Sequence, residues 1–124
     1  MQFKIPKNDE KYHWTSHVIQ KMAYYGLSPD RVKRVIRAPK RMEVGVAEGT
    51  MAAMQPAGSK KRPQEIWVMY AEKGAPKTKT KADLLTTIKR VIITAWRYPG
   101  ISPIRERIPI PSEILAELQR ENLV

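Results

Sequence analysis

His17, Lys21 and Tyr24 recur at i, i+4 and i+7, a spacing that sets three side chains along one side of a helix. An imidazole, an ammonium and a phenol on one stripe are groups that can cut a phosphodiester without a metal. One takes the 2′-OH proton, one protonates the leaving oxygen, and a cation holds the charged phosphorane. His17 falls in the first helical turn, where the dipole disfavours the imidazolium and so favours the neutral ring a general base requires. A partly buried histidine that helps to start the helix is the plainer reading, and residue types alone leave the two open. Glu43 alternates with Arg41 on a strand-like run, either as a general base or as half of a cross-strand ion pair. Arg97 closes the most apolar run of the chain, where a guanidinium can clamp a phosphate.

The charge balance points to the substrate class. The 124 residues hold 23 Lys and Arg against 12 Asp and Glu, a formal net charge of +11, so the expected partner is a polyanion, RNA or the ribosome. Residues 31–41 carry six of the basic residues and no acid. Lys33, Arg34, Arg37, Lys40 and Arg41 are the candidate phosphate contacts, and Tyr98 a candidate base-stacking ring. Residues 59–62 and Lys73, Lys77, Lys79 and Lys81 add unspecific attraction. The absence of cysteine excludes a disulfide framework, thiol catalysis and a Cys-based zinc site. His13 and His17 stand four apart but straddle the expected helix start, and no third ligand follows at zinc spacing. No glycine-rich nucleotide loop occurs. No metal and no cofactor are therefore expected. No apolar run approaches the ~20 residues of a membrane span, so the expectation is a cytoplasmic protein away from membranes.

The elements that must position these groups follow from periodicity. Residues 1–12 are polar and read as a loose N-terminus. Val18, Ile19, Met22 and Tyr25 mark a helix capped by Thr15 or Ser16 and ended by Gly26. Ser28, Pro29 and Asp30 open a second helix with Val32, Val35 and Ile36 on its apolar face, stopped by Pro39. Strands are predicted over 41–46, 50–55, 65–72 and 88–96, with a basic loop at 56–64 and a Lys-rich loop at 73–83. On the last strand, strict alternation sets Arg97 on one face with Val91, Ile93 and Ala95. Four prolines between 99 and 111 predict an extended tail, and Ser112 opens a final helix bearing Ile114, Leu115 and Leu118. The expected fold is α+β: an N-terminal helical hairpin packed on a four-stranded antiparallel meander sheet, its other face open to a ligand, with a Pro-rich tail and short helix. In domain terms, residues 13–98 form the body and 99–124 the tail.

Ser16 to Met22, then Tyr25-Gly26-Leu27-Ser28, Val32, Val35-Ile36 and Pro39, and finally Ile92-Ile93-Thr94-Ala95-Trp96, carry a resemblance. Over residues 13–98 the chain resembles a small bacterial domain family grouped with RelE- and BrnT-like toxins in the barnase–colicin–RelE ribonuclease fold. The resemblance implies a curved antiparallel sheet, a helical hairpin against it, and metal-independent RNA cleavage. It places His17 in the opening motif; Lys21, Arg97 and Glu43 join it as the candidate catalytic set. A toxin would also need an acidic, antitoxin-like partner. The loop 73–83 and the tail are additional to that pattern. Two main readings stand side by side: a toxin-like endoribonuclease, and a non-catalytic RNA- or ribosome-binding module on the same fold.

Overall fold

The computed structural model describes residues 3–74, 88–104 and 106–123. The first strand, β1 (Tyr12–Trp14), runs into α1 (Ser16–Tyr25). Thr15 caps α1: its Oγ1 accepts from Val18 N–H at 3.1 Å and lies 3.0 Å from the carbonyl oxygens of Ile92 and Ile93, pinning the helix start to a distant strand. Gly26 ends α1 at φ 68°, a left-handed turn that glycine takes without steric cost. Ser28 caps α2 (Pro29–Arg37), with Pro29 in the first turn and Asp30 at the positive end of the dipole. Four strands and a helix follow: β2 (Arg41–Val44), β3 (Met51–Gly58), β4 (Pro63–Lys73), β5 (Lys89–Pro99) and α3 (Ser112–Arg120).

Strands β2 to β5 pair antiparallel in chain order, and β1 adds a fifth strand parallel to β5, giving the order β1-β5-β4-β3-β2. The expected four-stranded antiparallel sheet is therefore corrected to a five-stranded mixed one. Three residues of strand were too short a run to register as period two, and parallel pairing with β5 depends on a partner almost eighty positions away. The helices differ as well. α1 packs along β5, and α2 packs on β3 and β4, so they do not form a hairpin lying on a meander. β3 and β4 run on to a tight turn at residues 59–62, much shorter than the expected basic loop. The expected loop at 73–83 falls largely outside the described residues.

A bulge in β5 resets its faces. Pairing passes from Met69↔Thr94 to Tyr70↔Ile92, so Ile93 is the extra residue. Ile92 and Ala95 point to the helices α1 and α2, with Val18, Met22, Val32 and Val35, whereas Ile93 and Trp96 point to the opposite side. Arg97 thus shares a face with Ala95 but not with Ile93 or Val91.

That opposite side is not open. The tail returns across it, and Ile108, Ile114 and Leu118 bury against Met54, Trp67, Met69 and Trp96. The two indoles stack with ring centres 6.0 Å apart and planes 5° from parallel. Burying Ile114 and Leu118 stabilises by about 1.5–3 kcal/mol each, which explains why a proline-rich segment is held in place. A buried carboxylate fixes its path. Glu65 accepts hydrogen bonds from Trp67 Nε1 (3.0 Å), Ser102 Oγ (2.6 Å) and Ser102 N–H (3.2 Å). Arg41 lies over the Trp67 ring and donates to Ser102 Oγ and to the Pro103 carbonyl. No helix among the described residues is long and apolar enough to cross a membrane.

Candidate functional site

The four residues expected to cleave RNA are not brought to one place. His17 is 2% exposed, and both ring nitrogens are engaged. Nε2 lies 2.9 Å from Thr94 Oγ1, and Nδ1 lies 3.2 Å from Glu121 and 3.5 Å from Glu117. A neutral ring satisfies every partner: Nδ1–H donates to the carboxylates and Nε2 accepts from the threonine hydroxyl. Burial pushes the His17 pKa below its usual value, although the two carboxylates push the other way. Lys21 stands beside it and donates to Glu117 at 2.9 Å, which holds the Glu117 carboxyl below the ordinary range. The lysine also sits 5.7 Å from the centre of the exposed Tyr24 ring.

Arg97 serves the other end of the same helix. Its Nε donates to the Tyr25 carbonyl at 2.7 Å and its Nη2 to the Gly26 carbonyl at 3.4 Å, so the guanidinium closes the α1 C-terminus. Eight residues of helix separate Tyr25 from His17, about 12 Å. Glu43 is farther still: β2 is three strand spacings from β5, about 14 Å. There it accepts from Arg41 Nε at 3.0 Å, an ion pair within one strand and not the cross-strand pair that was expected. Only His17 and Lys21 meet, and they meet two acids of α3.

Of the seam residues, Thr94 entered the sequence reading only within the last-strand pattern, and Glu117 and Glu121 did not enter it. Glu117 and Glu121 stand at i, i+4, which sets two carboxylates on one face of α3, and a His/Lys stripe at the same spacing on α1 is their electrostatic complement. That complementarity was the available signal.

The basic residues divide differently. Arg34, Arg37 and Lys40 are exposed on and after α2. Lys33 places its ammonium 5.0 Å from the centre of the Tyr12 ring. Arg41 belongs elsewhere: its side chain is 10% exposed and committed to Glu43 and the tail. Tyr98 packs against the tail-side core. Neither lies with the α2 cations.

Instead, the α2 residues Lys33 and Arg37 face Lys11 and Arg90 across a concavity of about 520 Å³ floored by Tyr12 and Ile88. Sheet register explains the meeting: Tyr12 pairs with Arg90 across β1 and β5, so both point to the side on which α2 lies. Asp9, the one acid among the described residues that line this concavity, accepts at Oδ1 from the backbone N–H groups of Lys11 (2.8 Å) and Tyr12 (2.7 Å). Those bonds, more than the nearby lysines, keep its carboxyl below the usual value. Arg90 Nε is buried without a hydrogen-bond partner among the described residues, 3.8 Å from Glu72. Lys11 and Arg90 could not be grouped with α2 from sequence, because the β1–β5 pairing that unites them was not foreseen. Among the described residues no group of three or more His, Asp or Glu is placed to hold a metal.

No family model, no curated protein and no solved structure gives a significant match to this chain, so nothing in these comparisons ties it to the RelE- and BrnT-like toxins.

Proposed function

We propose that this protein is an RNA-binding module that holds backbone phosphate in the concavity between α2 and the β1–β5 edge and does not cleave it. The observation that carries the reading is the convergence of Lys11, Lys33, Arg37 and Arg90 on one concave surface whose described lining holds a single acid, Asp9. Four cations against the carboxylates of Asp9 and Glu72 leave a local excess of positive charge, which an anion relieves. Arg34 and Lys40 are exposed but do not line this concavity, and Lys40 stands beside β2 at the other edge of the sheet. The non-catalytic form is favoured because His17 has no free ring nitrogen and because Arg97 and Glu43 are occupied elsewhere.

The test is a fluorescence-anisotropy titration of mixed RNA in EDTA at several salt concentrations. Wild type should bind with a steep salt dependence. Lys33→Glu with Arg37→Glu should lower the slope of log K against log salt by about two. Equal slopes for the two proteins would remove the concavity from the interface. RNA fragments that appear in EDTA and vanish in His17→Ala would overturn the non-cleaving half of the reading.

A further inference from the structure

The concavity between α2 and the β1–β5 edge is a basin rather than a track. Its four cations come from three segments: Lys11 from the approach to β1, Lys33 and Arg37 from one face of α2, and Arg90 from β5. A site for the interior of a single strand runs its cations along the path of the chain and sets aromatic rings among them to stack the bases. Neither feature is present among the described residues here. Arg34 and Lys40, exposed on and after α2, do not line the concavity. The one aromatic ring that does, Tyr12, is 6% exposed and has the Lys33 ammonium 5.0 Å from its centre, so it is floor and not a stacking platform.

The charge balance selects among phosphates. Two carboxylates answer the four cations, and they do so loosely. Asp9 is bonded to backbone N–H groups, and Glu72 stands 3.8 Å from Arg90 Nε, a buried N–H without a hydrogen-bond partner among the described residues. The described groups thus leave an excess of two positive charges around about 520 Å³. A phosphodiester within a strand carries a single negative charge and two non-bridging oxygens. A terminal phosphomonoester carries about −1.5 to −2 at pH 7 and presents three strong acceptor oxygens. The dianion matches the excess, and its oxygens can reach donors on three segments at once.

We propose that the concavity takes the terminal phosphomonoester of an RNA, so that the protein prefers RNA ends to the interior of a strand. The inference rests on the RNA-binding reading and narrows it to one phosphate. Lys33 and Arg90 are half-buried and Lys11 and Arg37 exposed, which sets charged donors at two depths around a single anion.

The test uses one RNA sequence made with a 5′-phosphate, with a 3′-phosphate and with hydroxyls at both ends, labelled at an internal base and titrated by fluorescence anisotropy in EDTA at fixed salt. A phosphorylated end should tighten binding about tenfold or more over the hydroxyl-ended RNA, the scale of an added charge-assisted contact. Inorganic phosphate should compete that difference away, whereas dimethyl phosphate, a monoanionic diester, should not at the same ionic strength. Arg37→Gln and Lys11→Gln, both at exposed positions, should lose the difference and keep the wild-type melting curve. Arg34→Gln, on the same helix but outside the concavity, should retain it. Equal binding of the three RNAs, with the salt slope still lowered by Lys33→Glu with Arg37→Glu, would overturn the end preference and leave the RNA reading standing. A preference that survives both Gln variants would equally overturn the proposal. No salt-dependent binding of any of the three would overturn the RNA reading and this inference together.

Discussion

Two polar regions flank α1 and α2, and they are built on opposite rules. At the α1–α3 seam His17 and Lys21 each have a carboxylate within 3.2 Å. In the concavity Lys11, Lys33, Arg37 and Arg90 outnumber the described acids near them, Asp9 in the lining and Glu72 3.8 Å from Arg90. A paired cluster between two helices holds the helices together. A cluster with an excess of cations on a concave surface carries repulsion that a bound anion would relieve. The seam has the residue types of a ribonuclease site with its groups already bonded, and the concavity, where RNA binding is proposed, has the excess of positive charge. Residue type proposes chemistry, and the bonds already made decide whether that chemistry is free.

Mutations can break this contrast. The largest effect should come from Leu118→Ala, which empties the α3 anchor against the stacked tryptophans and should cost about 2–5 kcal/mol in denaturant unfolding. The tryptophan emission should shift as the tail loosens, while RNA affinity of the folded fraction should hold. His17→Ala leaves Thr94 and two carboxylates short of a partner and should cost about 1–3 kcal/mol, again without altering the salt slope of RNA binding. A destabilised His17→Ala with unchanged RNA affinity sharpens the contrast, whereas a stable one with lost affinity reverses it. Arg90→Ala should do the converse, lowering the salt slope by about one and moving the melting temperature little. Lys21→Ala, which removes a half-exposed ion pair, should cost less than about 1 kcal/mol.

Acid should act on the seam first. Burial lowers the folded pKa of His17 below the usual 6.5. The unfolded chain therefore takes up the proton at higher pH than the folded one, and stability falls with pH in that interval. The contribution is complete above the unfolded value and disappears as pH drops towards the lowered folded one. Unfolding free energies of wild type and His17→Gln should therefore converge as pH falls through that window. A difference that stays constant with pH would mean that the imidazole does not titrate between the two states.

The three helices and the runs of β2 to β5 were legible because caps and periodicity are local: Thr15, Gly26, Ser28 and Pro29 mark their own positions. β1 was not, because three residues cannot show a period and its partner lies at residues 90–92. The covered second face was missed for a related reason. Prolines between 99 and 111 announce an extended chain but not its path, which depends on Glu65, a single acid at the start of an apolar strand. The bulge at Ile93 defeated strict alternation and so misplaced Arg97. Of the candidate contacts, Lys33 and Arg37 converge in the concavity because they share a helix face. Arg41 and Tyr98 were drawn away by packing that no spacing reveals.

The parallel pairing of β1 with β5 also orders events during synthesis. The first strand to leave the ribosome has its partner among the last third of the chain, and Thr15 reaches its anchoring carbonyls across 77 and 78 positions. Closing so long a loop is slow, and the reward comes only when it is complete. The antiparallel hairpins β2–β3 and β3–β4 have short closures and can form while the N-terminal segment still waits. α1 cannot settle until β5 is in place, and α3 then locks onto α1 from the far end of the chain. β1, α1 and α3 thus depend on long-range closure, so removing β1 or α3 should slow folding more than its length suggests.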